Sequence, residues 1–89
     1  MTVFVEPMAI VSTAHLPPQE ASEIIPAKIK RRELIGMERE EGFLLCTNQL
    51  DPDLVVMSSL LGFFKGRGFN WVMFDCDADM VDDLPEYEW

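Results

Sequence analysis

The sequence between residues 51 and 74 constrains the fold most, because a helix pattern there leads directly into a strand pattern. Five apolar residues recur at helical spacing: Leu54, Met57, Leu60, Leu61 and Phe64. Residues 69–74 then form an apolar run that a single Asn interrupts. A strand that is apolar on both faces is typical of a sheet interior, or of a sheet whose outer face is covered. The pattern therefore predicts a helix followed by a central strand.

The residues around this helix predict where it begins and ends. Asp51 is a favourable N-cap, and Pro52 suits the first helical position because it lacks an N–H group. Gly66 or Gly68 can adopt the left-handed conformation that commonly ends a helix. We expect the helix to run between these limits.

Two shorter patterns occupy the start of the chain. Residues 8–13 are a short apolar run rich in strand-forming residues. Pro17 and Pro18 can open a helix over residues 19–25, and Pro26 is expected to end it.

The middle of the chain has two possible structures. Residues 33–37 and 43–47 resemble paired strands, and the charged residues 38–42 between them end in glycine, which is typical of a hairpin loop. A helix over residues 27–41 is the alternative, because Lys, Arg and Glu favour helices.

The resulting element order is strand, helix, strand, strand, helix, strand. This order predicts an α+β two-layer sandwich, ferredoxin-like or related, with a mainly antiparallel sheet and helices on one face. The alternative structure of the middle gives βαβαβ and a parallel sheet. Eighty-nine residues predict one domain, residues 1–89, with a core too small to enclose a deep substrate pocket.

Composition limits the classes of protein that remain. An apolar fraction of 48% predicts a folded chain. No run approaches the ~20 apolar residues of a membrane span, and the N-terminus has no positively charged region typical of a signal peptide. Two cysteines fit a reduced cytoplasmic protein better than a disulfide scaffold. A net charge of −9 disfavours direct binding to nucleic acid and to anionic membranes.

The negative charge is concentrated at the C-terminus. Residues 75–89 hold seven of the sixteen acidic residues and no Lys or Arg. Acidic residues are mixed there with Leu84, Tyr87 and Trp89, which is typical of a surface that binds a partner protein. The candidate partner-binding residues are Asp75, Asp77, Asp79, Asp82, Asp83, Glu86, Tyr87, Glu88 and Trp89.

The same segment partly matches metal-binding patterns. Asp75 and Asp77 are spaced like the Asp-x-Asp of metal-dependent phosphoryl-transfer enzymes, and further acids fit parts of a calcium loop. Met80 stands where that loop needs glycine. We expect a solvated acidic segment without a dedicated metal or cofactor.

Other reactive residues favour structural roles. Ser12, Thr13 and His15 lie at a strand-to-helix turn, where such side chains bond to free backbone groups, so capping is favoured over catalysis. We expect Cys46 to be a core residue, and we expect the carboxylates beside Cys76 to raise the pKa of its thiol.

A basic cluster is the one feature that points towards nucleic acid. It consists of Lys28, Lys30, Arg31 and Arg32. It is short and lacks interleaved aromatic residues, so a solvated edge strand is the preferred interpretation. It could equally pair with the acidic segment of its own chain or of a partner subunit.

Three strings carry a resemblance to a known family: residues 10–16 (IVSTAHL), residues 69–77 (FNWVMFDCD) and residues 84–89 (LPEYEW). They resemble an uncharacterised bacterial family of short proteins from plasmids, prophages and other mobile elements. The resemblance implies a cytoplasmic protein encoded by a mobile element, and it implies no activity. Residues 12–16 are also similar to a string near the N-terminus of a small phage anti-CRISPR protein.

Three functional hypotheses follow from these observations. The first is a non-enzymatic inhibitor or modulator whose acidic surface binds a basic groove of a nucleic-acid-handling or defence machine. The second is a homo-oligomeric accessory protein that pairs through its sheet, and the third is a metal-dependent enzyme using Asp75 and Asp77. A further expectation, compatible with partner binding, is that Leu84, Tyr87 and Trp89 cover the open sheet face of their own domain.

Overall fold

A four-stranded mixed sheet organises the chain, of which the computed structural model describes residues 6–88. The strands are β1 (Met8–Ser12), β2 (Gly36–Arg39), β3 (Gly42–Cys46) and β4 (Trp71–Asp75). Their order in the sheet is β1-β4-β3-β2, with β1 parallel to β4 and the other two pairs antiparallel. The predicted two-layer α+β fold and its element order are confirmed. In this arrangement β1 lies at an edge of the sheet and β4 in its interior.

The first helical segment continues past the proline that was expected to end it. A π-helical turn over Glu20–Ile24 leads into the α-helix α1 (Ile25–Lys30). Ile25 N–H donates to the carbonyl of Glu20, and Pro26 then falls in the first turn of α1. Proline lacks an N–H group and is tolerated in the first turn of an α-helix, and here a wider π-helical turn directly precedes that turn, so the helical segment accommodates Pro26. The prediction that Pro26 ends the helix was wrong for this reason.

The hairpin interpretation of the middle of the chain is confirmed. β2 and β3 pair through a two-residue turn formed by Glu40 and Glu41. The alternative helix over residues 27–41 is wrong beyond Lys30, where α1 ends. The basic cluster consequently lies at the end of α1 and in the turn after it, and not on an edge strand as expected.

The second helix, α2 (Val55–Gly66), begins later than its sequence signals predicted. Asp51 is not its N-cap. The side chain of Asp51 accepts a hydrogen bond from Asp53 N–H at 2.9 Å and pairs with Lys28 at 2.7 Å. These contacts hold residues 51–53 in a turn, so the helix begins only after this turn, at Val55. At the other end, Gly68 has the expected positive φ of 91°.

Both helices pack on one face of the sheet. The inward strand residues form one apolar cluster with both helices: Ala9, Val11, Phe43, Leu45, Val72 and Phe74 meet Ala21, Ile25, Met57, Leu61 and Phe64. The prediction that β4 is a central strand with apolar residues on both faces is confirmed, since Val72, Met73 and Phe74 are all buried. Among the described residues, no helix is long and apolar enough to cross a membrane.

Candidate functional site

The acidic C-terminal segment starts where β4 ends and turns away from the sheet at once. Asp75 is the last residue of β4, and its carboxylate accepts a hydrogen bond from Asp77 N–H at 2.8 Å. Ala78 N–H donates to the backbone carbonyl of Asp75 at 3.1 Å. This tight turn fixes the direction in which the following acidic residues leave the sheet.

Apolar residues fasten the segment to the side of the molecule that carries the helices. Leu84 is buried in the core, and Val81 packs against it. Leu84, Pro85 and Tyr87 line a groove together with the exposed edge of α2. The hypothesis that Leu84 and Tyr87 cover the open sheet face is therefore wrong, because they pack beside α2. Trp89 lies outside the described residues.

His15 holds the segment by both nitrogens of its ring. The side chain is fully buried; Val81 N–H donates to Nε2 at 2.9 Å, and Nδ1 lies 2.7 Å from the carbonyl oxygen of Pro85. Since Nε2 accepts a hydrogen bond, the proton of the ring is on Nδ1 and is donated to Pro85. Tyr87 N–H adds a bond to the carbonyl of Ala14 at 2.8 Å. The role of His15 as a structural side chain is confirmed, although its partners lie about 70 residues away along the chain.

The neighbouring hydroxyl also has a structural role. Ser12 Oγ accepts a hydrogen bond from Ala14 N–H at 3.1 Å and caps the short 3₁₀ turn Thr13–His15. The predicted capping function of this string is confirmed.

These attachments leave the carboxylates of the segment on the outside. Asp75 and Tyr87 are half-buried; the six exposed acidic residues are Asp77, Asp79, Asp82, Asp83, Glu86 and Glu88. No carboxylate of the segment forms an ion pair with any of residues 6–88. The predicted residues that the structure describes thus lie along one attached segment whose carboxylates form no ion pair within residues 6–88.

Three residues of the basic cluster, Lys28, Lys30 and Arg31, pair with acidic residues outside the C-terminal segment. Lys28 is buried and contacts Asp51 and Asp53 at 2.7 and 3.2 Å. Its hydrogen bond to Asp51 holds the pKa of Lys28 above the ordinary value, although desolvation opposes this shift. The hydrogen bond from Lys28 lowers the pKa of Asp51, and the backbone N–H of Asp53 lowers it further. The basic cluster does not pair with the acidic segment of its own chain within the described residues.

The hairpin turn adds acidic residues that sequence reasoning did not assign to the site. Cys76 N–H donates to the carbonyl of Glu41 at 2.9 Å, and Gly42 is paired with Asp75. The exposed Glu40 and half-buried Glu41 therefore lie beside the start of the acidic segment. The sequence shows that Glu40 and Glu41 lie in a charged hairpin turn. Only the pairing of β3 with β4 shows that this turn lies beside the acidic segment. We call Glu40, Glu41 and the acidic residues from 75 to 88 the acidic surface.

Cys76 sits within this surface as an exposed thiol. Its pKa is raised by desolvation first, and then by the carboxylates of Asp77 and Asp75. A thiol with a raised pKa carries little thiolate at neutral pH and is a weak nucleophile. This confirms the direction of the pKa shift expected from the sequence.

The residues of the metal-binding pattern lie close together. The ligand atoms of Asp75, Cys76 and Asp77 lie within 4.8 Å of one another. They come from three consecutive residues of an exposed turn, and the Asp75 carboxylate already accepts the Asp77 N–H. We treat this cluster as a part of the acidic surface.

Comparisons with known proteins give a family and no activity. Residues 8–89 match the C-terminal domain of a family of unknown function, DUF5983. The match covers most of the chain, and the chain belongs to this family. No curated protein matches it significantly. No solved structure matches it significantly either.

Proposed function

We propose that this DUF5983 domain is a non-enzymatic binding protein whose acidic surface engages a basic groove on a partner protein. The observation that carries the proposal is the acidic surface itself: His15 and Leu84 hold its C-terminal segment in place. No carboxylate of residues 75–88 forms an ion pair with residues 6–88, and Glu41 has only a long contact with Arg39, at 3.9 Å. Carboxylates fixed in this way can occupy positions that a basic groove offers to phosphates.

The partner class follows from the charge of the surface. Grooves lined by Lys and Arg are characteristic of proteins that handle nucleic acids. We therefore propose that the domain inhibits or modulates a nucleic-acid-handling or defence machine in the cytoplasm of a bacterial host. The resemblance of residues 12–16 and 84–89 to proteins of mobile elements supports a phage, prophage or plasmid origin.

Two observations favour binding over catalysis. Both ring nitrogens of His15, the sole histidine, are occupied by backbone groups, so neither is free to act as a general base. The thiol of Cys76 has a raised pKa, which opposes a role as nucleophile.

The test is an affinity capture from host lysate at low and at moderate salt. The bait is the wild-type protein or a variant in which Asp77, Asp79, Asp82 and Asp83 are all changed to Asn. Among the described residues, no hydrogen bond or ion pair uses these four carboxylates, so the variant should keep its fold. We expect a partner that binds wild type, is lost with the variant and weakens as salt rises.

A matched pair of variants separates local from total charge. Asp82→Asn with Asp83→Asn removes two charges from the acidic surface, whereas Glu23→Gln with Glu33→Gln removes two exposed charges elsewhere, of which Glu33 is paired with Arg31. We expect only the first pair to weaken capture. If both double variants and the fourfold variant captured the partner as well as wild type does, binding through the acidic surface would be disproved.

A further inference from the structure

The face of the sheet opposite the helices is apolar apart from Asp75 at the end of β4, and its edge-strand residues are exposed whereas Met73 at its centre is buried. Strand alternation places on it Met8, Ile10, Met37, Leu44, Trp71 and Met73, which we call the open face. Met8, Met37 and Ile10 are 42%, 56% and 57% exposed. Apolar patches of this kind on a folded protein mark interaction sites.

Two opposite charges stand at diagonal corners of the open face. Glu6 precedes β1 at the end of the sheet where β1 begins, and its carboxylate accepts the indole N–H of Trp71 at 2.6 Å. Arg39 lies on the opposite edge strand, β2, at the other end of the sheet. Its guanidinium lies 3.8 Å from the sulfur of Met73, and its contact with Glu41 is long, at 3.9 Å. Arg39 is thus directed over the open face.

We propose that the open face binds a second copy of this chain. A two-fold axis along the other diagonal, from the Ser12 end of β1 to the Gly36 end of β2, brings each Arg39 onto the partner copy's Glu6. The strands of the two sheets then cross near a right angle, which is one of the two packings that stacked sheets adopt. The same patch serves on both copies, as a two-fold interface requires.

The charges select this arrangement over others. When the two sheets stack with aligned strands, neither Arg39 nor Glu6 meets an opposite charge. About the axis that joins the Glu6 and Arg39 corners, like charges meet. A net charge of −9 on each copy opposes loose association, so pairing depends on the apolar contact and on these two ion pairs.

The first test is the mass of the protein by sedimentation over a range of concentrations. Wild type is expected to form dimers as concentration rises. Ile10→Glu, which places a charge within the open face, is expected to weaken dimerisation at least about tenfold. Leu50→Glu is the matched control, because Leu50 is 82% exposed and lies outside the open face. Circular dichroism establishes that each variant is folded.

The second test is a charge exchange at the two corners. Glu6→Arg or Arg39→Glu alone juxtaposes like charges across the axis and is expected to weaken dimerisation about tenfold. The double variant restores opposite charges and is expected to regain the dimer. A wild type that stays monomeric, an undiminished Ile10→Glu dimer, or a double variant that is no better than either single variant would each overturn the proposal. The fourfold Asp→Asn variant should still dimerise, so this interface and the acidic surface are tested separately.

Discussion

The strongest structural prediction concerns His15, which fastens the acidic segment to the domain. In His15→Met the side chain keeps a similar volume but loses both ring nitrogens and therefore both hydrogen bonds. Each bond contributes about 1 kcal/mol net, since Val81 is half-buried and Pro85 is exposed, and the released backbone groups can regain water. The variant should lose about 2 kcal/mol of unfolding free energy. For a domain of this size that lowers Tm by about 8–16 °C.

The assay combines urea denaturation with amide hydrogen exchange. The amides of Val81 and Tyr87 should lose protection before those of the central strand β4, because the segment can open locally. His15→Gln is the control: its carboxamide offers an NH₂ donor group and an acceptor oxygen, so it should lose less stability. If His15→Met changed the unfolding free energy by less than about 0.5 kcal/mol and left both amides protected, His15 would not be the fastening side chain.

Three further predictions concern a contrasting pair of glycines, an aspartate and a cysteine. Gly42→Ala should lower the free energy of unfolding, measured by urea denaturation, by about 3 kcal/mol or more. A Cβ at this position would lie 1.8 Å from the backbone carbonyl oxygen of Phe74. Gly62→Ala meets no atom within 4 Å and should instead stabilise α2 by about 0.5–1 kcal/mol. The pKa of Asp51 is lowered by folding, so its contribution is present above the ordinary aspartate value of 3.8 and is lost as pH falls through the lowered pKa. When the free energy of unfolding is measured as a function of pH, Asp51→Asn should lose less stability on acidification than wild type. A pH profile identical to that of wild type would contradict this expectation. Cys76, kept as the only cysteine, should react with iodoacetamide more slowly than in the unfolded chain, because its pKa is raised by desolvation and neighbouring carboxylates.

The sequence was sufficient for the elements whose signals are local. Short-range periodicity in the sequence predicts the apolar stripe of α2, the central position of β4 and the hairpin between β2 and β3. Element ends were less accessible because they depend on competing contacts. Asp51 has the chemistry of an N-cap, but its pairing with Lys28 occupies it in a turn. Nothing near Asp51 in the sequence indicates that contact.

The candidate site was predictable in composition and not in geometry. The seven acidic residues after position 74 are evident in the sequence, whereas their attachment depends on His15, which is distant along the chain. The strand pairing that adds Glu40 and Glu41 is also long-range. Likewise, the periodicity of β4 indicated apolar residues on both faces, but only the packing of both helices on one side identifies the open face.

The fastening of the acidic segment leads to a last prediction, which separates a fixed acidic surface from negative charge alone. A segment ordered before binding avoids the conformational entropy lost on ordering, roughly 1–2 kcal/mol for each residue that would otherwise be fixed on binding. His15→Met keeps every carboxylate but loosens the segment around Val81 and Tyr87. Its affinity for the captured partner should therefore fall about tenfold or more at constant salt. Measured by titration calorimetry, an unchanged affinity would mean that the partner recognises charge without needing it held in place. A loss as large as that of the fourfold Asp→Asn variant would mean that the arrangement of the carboxylates matters as much as their number.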